Sequence, residues 1–312
     1  MDWTQTTLDS PTGARLQLYA ALAQGPARGV VQINHGMGEH AGRYRRFAGF
    51  LTARGYHVYA HDHRGHGQTQ AEGAPLGTFA DRDGWAQVLA DVDAVNAHIR
   101  AAHPDLPVIC FGHSMGSIIA FNYALTHPER LDALSCWNAS FTAGGLAALG
   151  KTILKVEKMV KGGHRPSHIT QSLTFGAWNK AFKPNRTEFD WLSRDPGEVD
   201  TYVADPLCGF PVSIGLWLDT IGGVYFADDD ANLAALPPAL PVHLLAGTAD
   251  PSTNGGKDVA RTAGRLQKAG VQDVTLTLLE GARHESLNET NRDQVMADYA
   301  DWLDARFGGG NV

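Results

Sequence analysis

The chain has 312 residues, with 33 acidic and 26 Lys or Arg side chains, a formal charge of −7 and 43% hydrophobic residues. That length can bury a large core, as one big domain or a domain carrying an insertion, and the composition is that of an ordinary soluble globular protein. The negative balance and the absence of any Lys/Arg-rich run exclude a nucleic-acid partner held by phosphate contacts.

The N-terminus, MDWTQTTLDSPTG, lacks a basic start followed by an apolar stretch, so no secretory signal is expected. No segment approaches the ~18 uninterrupted apolar residues of a membrane span. Cys110, Cys136 and Cys208 are odd in number and not in metal spacing, and two lie in apolar runs. They predict buried free thiols in a reducing cytoplasm. The 14 histidines form no H-E-x-x-H or Cys/His array, so neither a metal nor any other cofactor is expected.

In chain order, residues 3–8 and 15–21 flank the turn Ser10-Pro11-Thr12-Gly13 and predict an edge hairpin. A strand at 29–34 (GVVQIN) runs into His35-Gly36-Met37-Gly38-Glu39-His40. A helix over 44–54 is closed by Gly55 and followed by a strand at 56–60 and then by Asp62-His63-Arg64-Gly65-His66-Gly67. Residues 84–102 have helical spacing, with Trp85, Val88, Leu89, Val92, Val95 and Ile99 on or near one face. A strand at 106–111, a helix at 117–126 and a strand at 131–137 follow. Helices alternating with short β-branched runs imply a mostly parallel sheet covered on both faces.

From 140 to 236 the rhythm changes to many breakers, few strand-like runs and several aromatics, which predicts an inserted helical cap. Its Trp178, Phe182, Phe189, Trp191 and Trp217 need something to pack on and are expected to form the cap's own core. Pro237-Pro238 marks the return to the sheet, with strands at 242–246 and 274–279 and helices at 259–269 and 292–307. The tail, 308–311, is expected to be loose. The expected organisation is therefore α/β: core residues 1–139 and 237–312, with the cap at 140–236 after the sixth strand.

The chemistry centres on Gly112-His113-Ser114-Met115-Gly116, between a strand and a helix. A serine between two glycines at such a turn is the nucleophile-elbow pattern: the backbone is strained, and the hydroxyl stands clear at a helix N-terminus. A hydroxyl is a poor nucleophile at neutral pH and needs a base. Partners in this arrangement follow in the order serine, acid, histidine, on loops at the carboxyl ends of later strands. His284, just after the last strand, fits the base better than an ordinary exposed loop histidine, and His243 lies inside a strand. Asp250 fits the acid, against helix capping as its plainer reading and Asp258 as the local competitor. Backbone amides of Met37 and Met115 would face a developing oxyanion. His113 and Met115 are expected to be packing side chains. His40, His61, His63 and His66 are expected to satisfy backbone groups around the two glycine turns.

Taken together, H-G-M-G-E-H (35–40), D-H-R-G-H-G (62–67), G-H-S-M-G (112–116), the G-T-A-D ending at Asp250 and G-A-R-H-E (281–285) resemble the monoacylglycerol lipase and lysophospholipase branch of the α/β-hydrolase superfamily. The resemblance implies that Ser114, Asp250 and His284 form the triad and that the Met37 and Met115 amides form the oxyanion hole. It implies a carboxylic ester substrate, with a glycerol monoester or lysophospholipid first. The family's serine two residues after the D-H-R-G-H-G stretch is Thr69 here, which keeps the hydroxyl. The same machinery also supports short-chain esterase, peptidase, haloperoxidase or carbon–carbon hydrolase chemistry, and the scaffold can serve as a non-catalytic binding module. Epoxide hydrolases and dehalogenases need a carboxylate where Ser114 stands.

Within the cap, Leu146, Leu149, Ile153, Val156 and Val160 repeat by threes and fours, with Lys151, Lys155 and Lys158 on the other side. The favoured reading packs that stripe on the core beneath a solvated lysine face. The sharper reading rests it on a lipid surface or over an acyl channel, giving transient membrane contact through the cap. Asp228-Asp229-Asp230 is expected to be an exposed acidic turn.

Overall fold

The computed structural model describes residues 3–309, apart from the side chains of residues 146 and 147. The expected loose tail beyond Gly309 and the Leu146 end of the cap stripe lie outside the described residues. Strands β1 (Thr4–Asp9) and β2 (Arg15–Ala21) form the hairpin, with Gly13 at φ +82° in its turn. Then come β3 (Gly29–Asn34), α1 (Arg45–Ala53), β4 (Tyr56–His61) and α2 (Gly84–Ala102). Next are β5 (Val108–His113), α3 (Met115–Thr126) and β6 (Ala133–Trp137). The sheet order is β1-β2-β4-β3-β5-β6-β7-β8, where β7 is Val242–Gly247 and β8 is Val274–Leu279. Pairing is antiparallel as far as β4 and parallel from β4 to β8. Helices α10 (Lys257–Lys268) and α11 (Arg292–Phe307) follow β7 and β8.

Central strands feed both faces of the sheet because their side chains alternate. On β5 and β6, Cys110, Leu134 and Cys136 join one cluster with Val88, Val92 and Ile119. Ile109, Phe111, Ala133 and Trp137 join the other, with Phe47 and Tyr299. Helix α3 is covered on every side, and every residue from Met115 to Leu125 is buried, because sheet, α2 and cap all pack on it.

Boundaries shift by a few residues. Strand β5 runs through Gly112 and His113, which pair with Cys136 and Trp137, so the elbow's first glycine is still part of the sheet. The helix expected at 44–54 begins as a 3-10 turn over Ala41–Tyr44.

Between β6 and β7 lie α4 (Gly145–Lys161), α5 (His168–Gln171), a π turn over Ser172–Gly176, and α6 (Ala177–Lys180). They are followed by α7 (Pro196–Ala204), α8 (Ile214–Asp228) and α9 (Asp230–Leu233). Side chains start four of these: Ser167 caps α5, Asp195 and Ser213 cap α7 and α8, and Asp229 caps α9. The acidic triplet is exposed at Asp229 and Asp230, as expected, and is pinned as well: Asp228 accepts from the Ala143 amide and Asp230 from Arg265. The favoured reading of α4 is overturned. Its packed face is Leu154 with Glu157, whose carboxylate takes hydrogen bonds from Ser167 and Lys161, while Leu149, Val156, Met159 and Val160 are exposed. A buried carboxylate needs partners, and Glu157 finds them in Lys161 and Ser167, while the apolar stripe faces outward.

Candidate active site

Ser114 follows β5 with φ +54° and ψ −122°, a strained backbone for a residue with a side chain. The strain is over-determined by close packing. A Cβ on Gly112 would lie 2.3 Å from the Gly116 oxygen, and one on Gly116 would lie 2.1 Å from the Asn34 oxygen. Ser114 N–H donates to the Trp137 carbonyl at 2.9 Å, locking the turn to β6. The hydroxyl thereby stands at the N-terminus of α3, half-buried.

Ser114 Oγ and His284 Nε2 are 3.0 Å apart, and His284 Nδ1 is 3.0 Å from Asp250 Oδ2. Asp250 is fully buried at the carboxyl end of β7, and His284 is buried in the loop after β8. Asp250 also caps the 3-10 turn Pro251–Thr253 by accepting from the Ser252 amide at 2.9 Å, so its plainer reading holds as well. The Ser252 hydroxyl donates to Asp250 Oδ1 at 2.7 Å and lies 2.9 Å from His284 Nδ1. Its lone pair therefore faces the same Nδ1–H that Asp250 accepts. Burial pushes the Asp250 carboxyl up, but the nearby His284, its hydrogen bond and those of Ser252 outweigh this and hold it below the ordinary range. The carboxylate fixes the tautomer, leaving Nε2 with a lone pair for the Ser114 hydroxyl proton. Asp258 instead accepts from Ser140 at 2.8 Å.

The loop after β3 closes on the serine. A Cβ on Gly36 would lie 3.3 Å from that of Ser114, and the amides of Met37 and Met115 carry no hydrogen bond among the described residues. Gly36 N–H is already engaged, donating to Glu39 at 2.6 Å. Behind this loop sits a buried ionic cluster that the sequence reading missed. Arg43 donates to Glu39 at 2.5 Å and forks onto both oxygens of Glu285 at 2.7 Å, while Tyr44 donates to Glu39 at 2.9 Å. Burial opposes ionisation of Glu39 and Glu285, yet Arg43 holds both below the usual carboxylate range. One guanidinium thus ties the loop before α1 to the residue after His284. Asn138, at φ +55°, adds a donor 3.3 Å from Asp250 and is itself held by Ser286.

His113 is buried with its ring 5.0 Å from that of His284; burial first, then His284, push it down to about 4. Met115 is buried, as expected of a packing side chain. His66 and His35 make backbone contacts, whereas the His61 and His63 rings bond no protein group among the described residues and pack 4.6 Å apart. His40 pairs with Asp205 across the cap boundary at 2.9 Å. These three do not serve the glycine turns as the sequence reading had it, because the turns are held by Asp62 instead. It accepts from the Ala41 and Gln68 amides, both at 2.8 Å. Thr69 donates its hydroxyl to the Asp62 carbonyl at 2.6 Å.

Above Ser114 the cavity wall is aromatic: Phe175, Phe189, Trp191, Tyr202 and Phe210. Trp191 packs 4.6 Å from the His284 ring. Phe189 and Trp191, expected only as cap core, both pack within the cap and line the site. The cap also grips the loop after β3, since Tyr202 OH and Gly209 N–H both donate to the Gly38 carbonyl, at 2.8 and 2.9 Å. An apolar chamber over a hydroxyl–imidazole–carboxylate row suits attack on the carbonyl of a greasy acyl compound.

Comparison with known proteins places the chain in a family. The family model described as serine aminopeptidase, S33, matches residues 25–291. A monoacylglycerol lipase of Mycolicibacterium smegmatis is 29% identical over 282 residues, 88% of each chain. The monoglyceride lipase of Homo sapiens is 30% identical over 266 residues, 83% of this chain and 76% of its own. A thermostable carboxyl esterase from Bacillus coagulans, solved with glycerol, superposes with a TM-score of 0.89 at 26% identity over 98% of this chain and 99% of that one.

Proposed function

The chain belongs to the serine aminopeptidase S33 family of α/β-hydrolases and is an ester hydrolase; within it we propose that Ser114 is the nucleophile, His284 the general base and Asp250 the acid that orients it. Ser114 attacks the ester carbonyl as its proton passes to His284 Nε2. The amides of Met37 and Met115 receive the oxyanion, a preorganised arrangement in which one donor typically contributes ~3–4 kcal/mol. The imidazolium then protonates the departing alcohol, and a water deprotonated by His284 releases the fatty acid. The observation that carries the reading is the unbroken row Ser114–His284–Asp250, with both links at 3.0 Å.

The substrate is a small lipid ester, with a monoacylglycerol or lysophospholipid first. The names of the relatives and the aromatic wall above Ser114 support that choice. Residues 140–236 serve as the substrate-selecting cap on the two core pieces. Among the described residues no helix is long and apolar enough to cross a membrane. The outward stripe of Leu149, Val156 and Val160, with Lys155 and Lys158 also exposed, is suited to brief contact with a lipid surface. Buried free thiols at Cys110 and Cys136 support a reducing, cytoplasmic setting.

A fluorophosphonate is expected to label the wild type at Ser114 and to leave Ser114→Ala unlabelled; labelling that persists in the variant defeats the assignment. Long-chain monoacylglycerols are expected to turn over with higher kcat/KM than short soluble esters, and peptide amides hardly at all. Preference for an aminoacyl amide would favour a peptidase.

A further inference from the structure

Where the cap meets the loop after β3, three side chains of different chemistry converge. His40 ends that loop, and Asp205 and Cys208 follow α7. A His40 ring nitrogen, an Asp205 carboxylate oxygen and the Cys208 sulfur all lie within 4.8 Å of one another. His40 Nε2 is already 2.9 Å from Asp205 Oδ2, while the other carboxylate oxygen, Oδ1, accepts from the Leu207 amide at 2.8 Å. That amide fixes the carboxylate's orientation, with Oδ2 turned toward the histidine. All three residues are half-buried, so the cluster is walled by protein yet open to solvent.

We propose that His40, Asp205 and Cys208 form a binding site for a thiolate-preferring divalent cation of the Zn2+ class, with water as the fourth ligand. Imidazole, carboxylate and thiolate together are the donor set such a cation takes, at ~2.0–2.3 Å from each ligand atom. Tetrahedral geometry at those lengths sets ligand atoms roughly 3.3–3.7 Å apart, a closure of about 1 Å from the widest separation the cluster allows. The proton balance is simple. Cys208 gives up its thiol proton to solvent, Asp205 is already a carboxylate, and His40 shifts its hydrogen to Nδ1 so that Nε2 offers a lone pair. Two anionic ligands neutralise the cation. Burial holds the free Cys208 thiol protonated, so the thiolate forms with the cation and not before it.

Nothing in the residue spacing announces this set, because His40 and Asp205 are 165 positions apart and meet only when the cap docks. The site is structural and separate from the Ser114 row, and it would pin the cap to the core beside the Gly38 carbonyl. The test uses the full chain, stripped with chelator and titrated with Cd2+ and Co2+. Cys110 and Cys136 are fully buried, so a sulfur-to-metal absorption band reports Cys208. One equivalent is expected to bind with that band. Cys208→Ser is expected to remove the band and weaken binding more than about tenfold, with His40→Gln also weakening it. Ser114→Ala is expected to bind unchanged, and Zn2+ to raise the Tm of the wild type but not of Cys208→Ser. No sulfur band, a band that survives Cys208→Ser, or equal affinity in all variants would overturn the proposal.

Discussion

The core loops and the cap solve the same packing problem in opposite ways. In the core, short stretches dictate their own geometry: Gly112 and Gly116 have backbone where a Cβ would stand, and Asp250 both caps its turn and faces His284. In the cap, little is local. Phe175 stacks on Trp191 with Trp178 tilted against both, and α4 covers only Leu154 and Glu157 on its inner side. The contrast teaches that the proposed reacting groups are held by strain and backbone contact, whereas the chamber above them is walled by aromatic side chains from several parts of the cap.

The sharpest way to break that contrast is at the acid. Asp250→Asn is expected to lower kcat by ~10^4, as loss of the orienting carboxylate does in related triads, while Asp258→Asn leaves it near wild type. Steady-state kinetics with one ester decides it, and the reverse pattern would move the acid to Asp258. Next comes the ion cluster. Arg43→Met strands Glu39 and Glu285 without their cation and is expected to destabilise the fold by about 3–5 kcal/mol, read by urea unfolding. Activity is expected to fall further than the remaining folded fraction explains, because both active-site loops lose their common tie.

A pH series tests the histidines beneath the loops. Burial pushes His35 and His63 well below their ordinary range and His61 and His66 down to about 4. The unfolded chain takes up protons as pH falls through ~6.5 while the folded chain resists. Stability is therefore full above about 6.5 and is lost as pH falls toward 4. A urea midpoint that stays level between pH 7.5 and 5 would contradict this, and His61→Phe is expected to flatten the slope.

Two glycines give the smallest and most direct contrast. Gly116→Ala drives a methyl into the Asn34 carbonyl and is expected to destabilise by about 3 kcal/mol. Gly150→Ala, inside α4 with nothing within 4 Å of the new methyl, is expected to stabilise by about 1 kcal/mol through helix propensity. Thermal melts of both variants measure the difference.

What was legible in the sequence follows the same divide. Ser114, Asp250 and His284 stood out because each is bracketed by residues the local backbone demands, and the strands between them alternate or run apolar. The breakers at Gly162, Pro166 and Pro184 betrayed a helical insertion without showing how it folds. Glu39, Arg43 and Glu285 could not be linked, since Arg43 and Glu285 lie 242 positions apart and ion pairs leave no periodicity. The stripe on α4 misled because amphipathic spacing says that a helix has two faces, not which one is covered. Leu154, outside the stripe, is the residue that packs.

The grip of Tyr202 and Gly209 on the Gly38 carbonyl limits how a bulky guest gets in. Swinging α7 outward would drag the peptides that must stay still for chemistry. The α7 flank therefore behaves as the fixed jamb of a doorway, and α8 is no freer, since Asn122 of α3 donates to its Gly223 carbonyl at 3.0 Å.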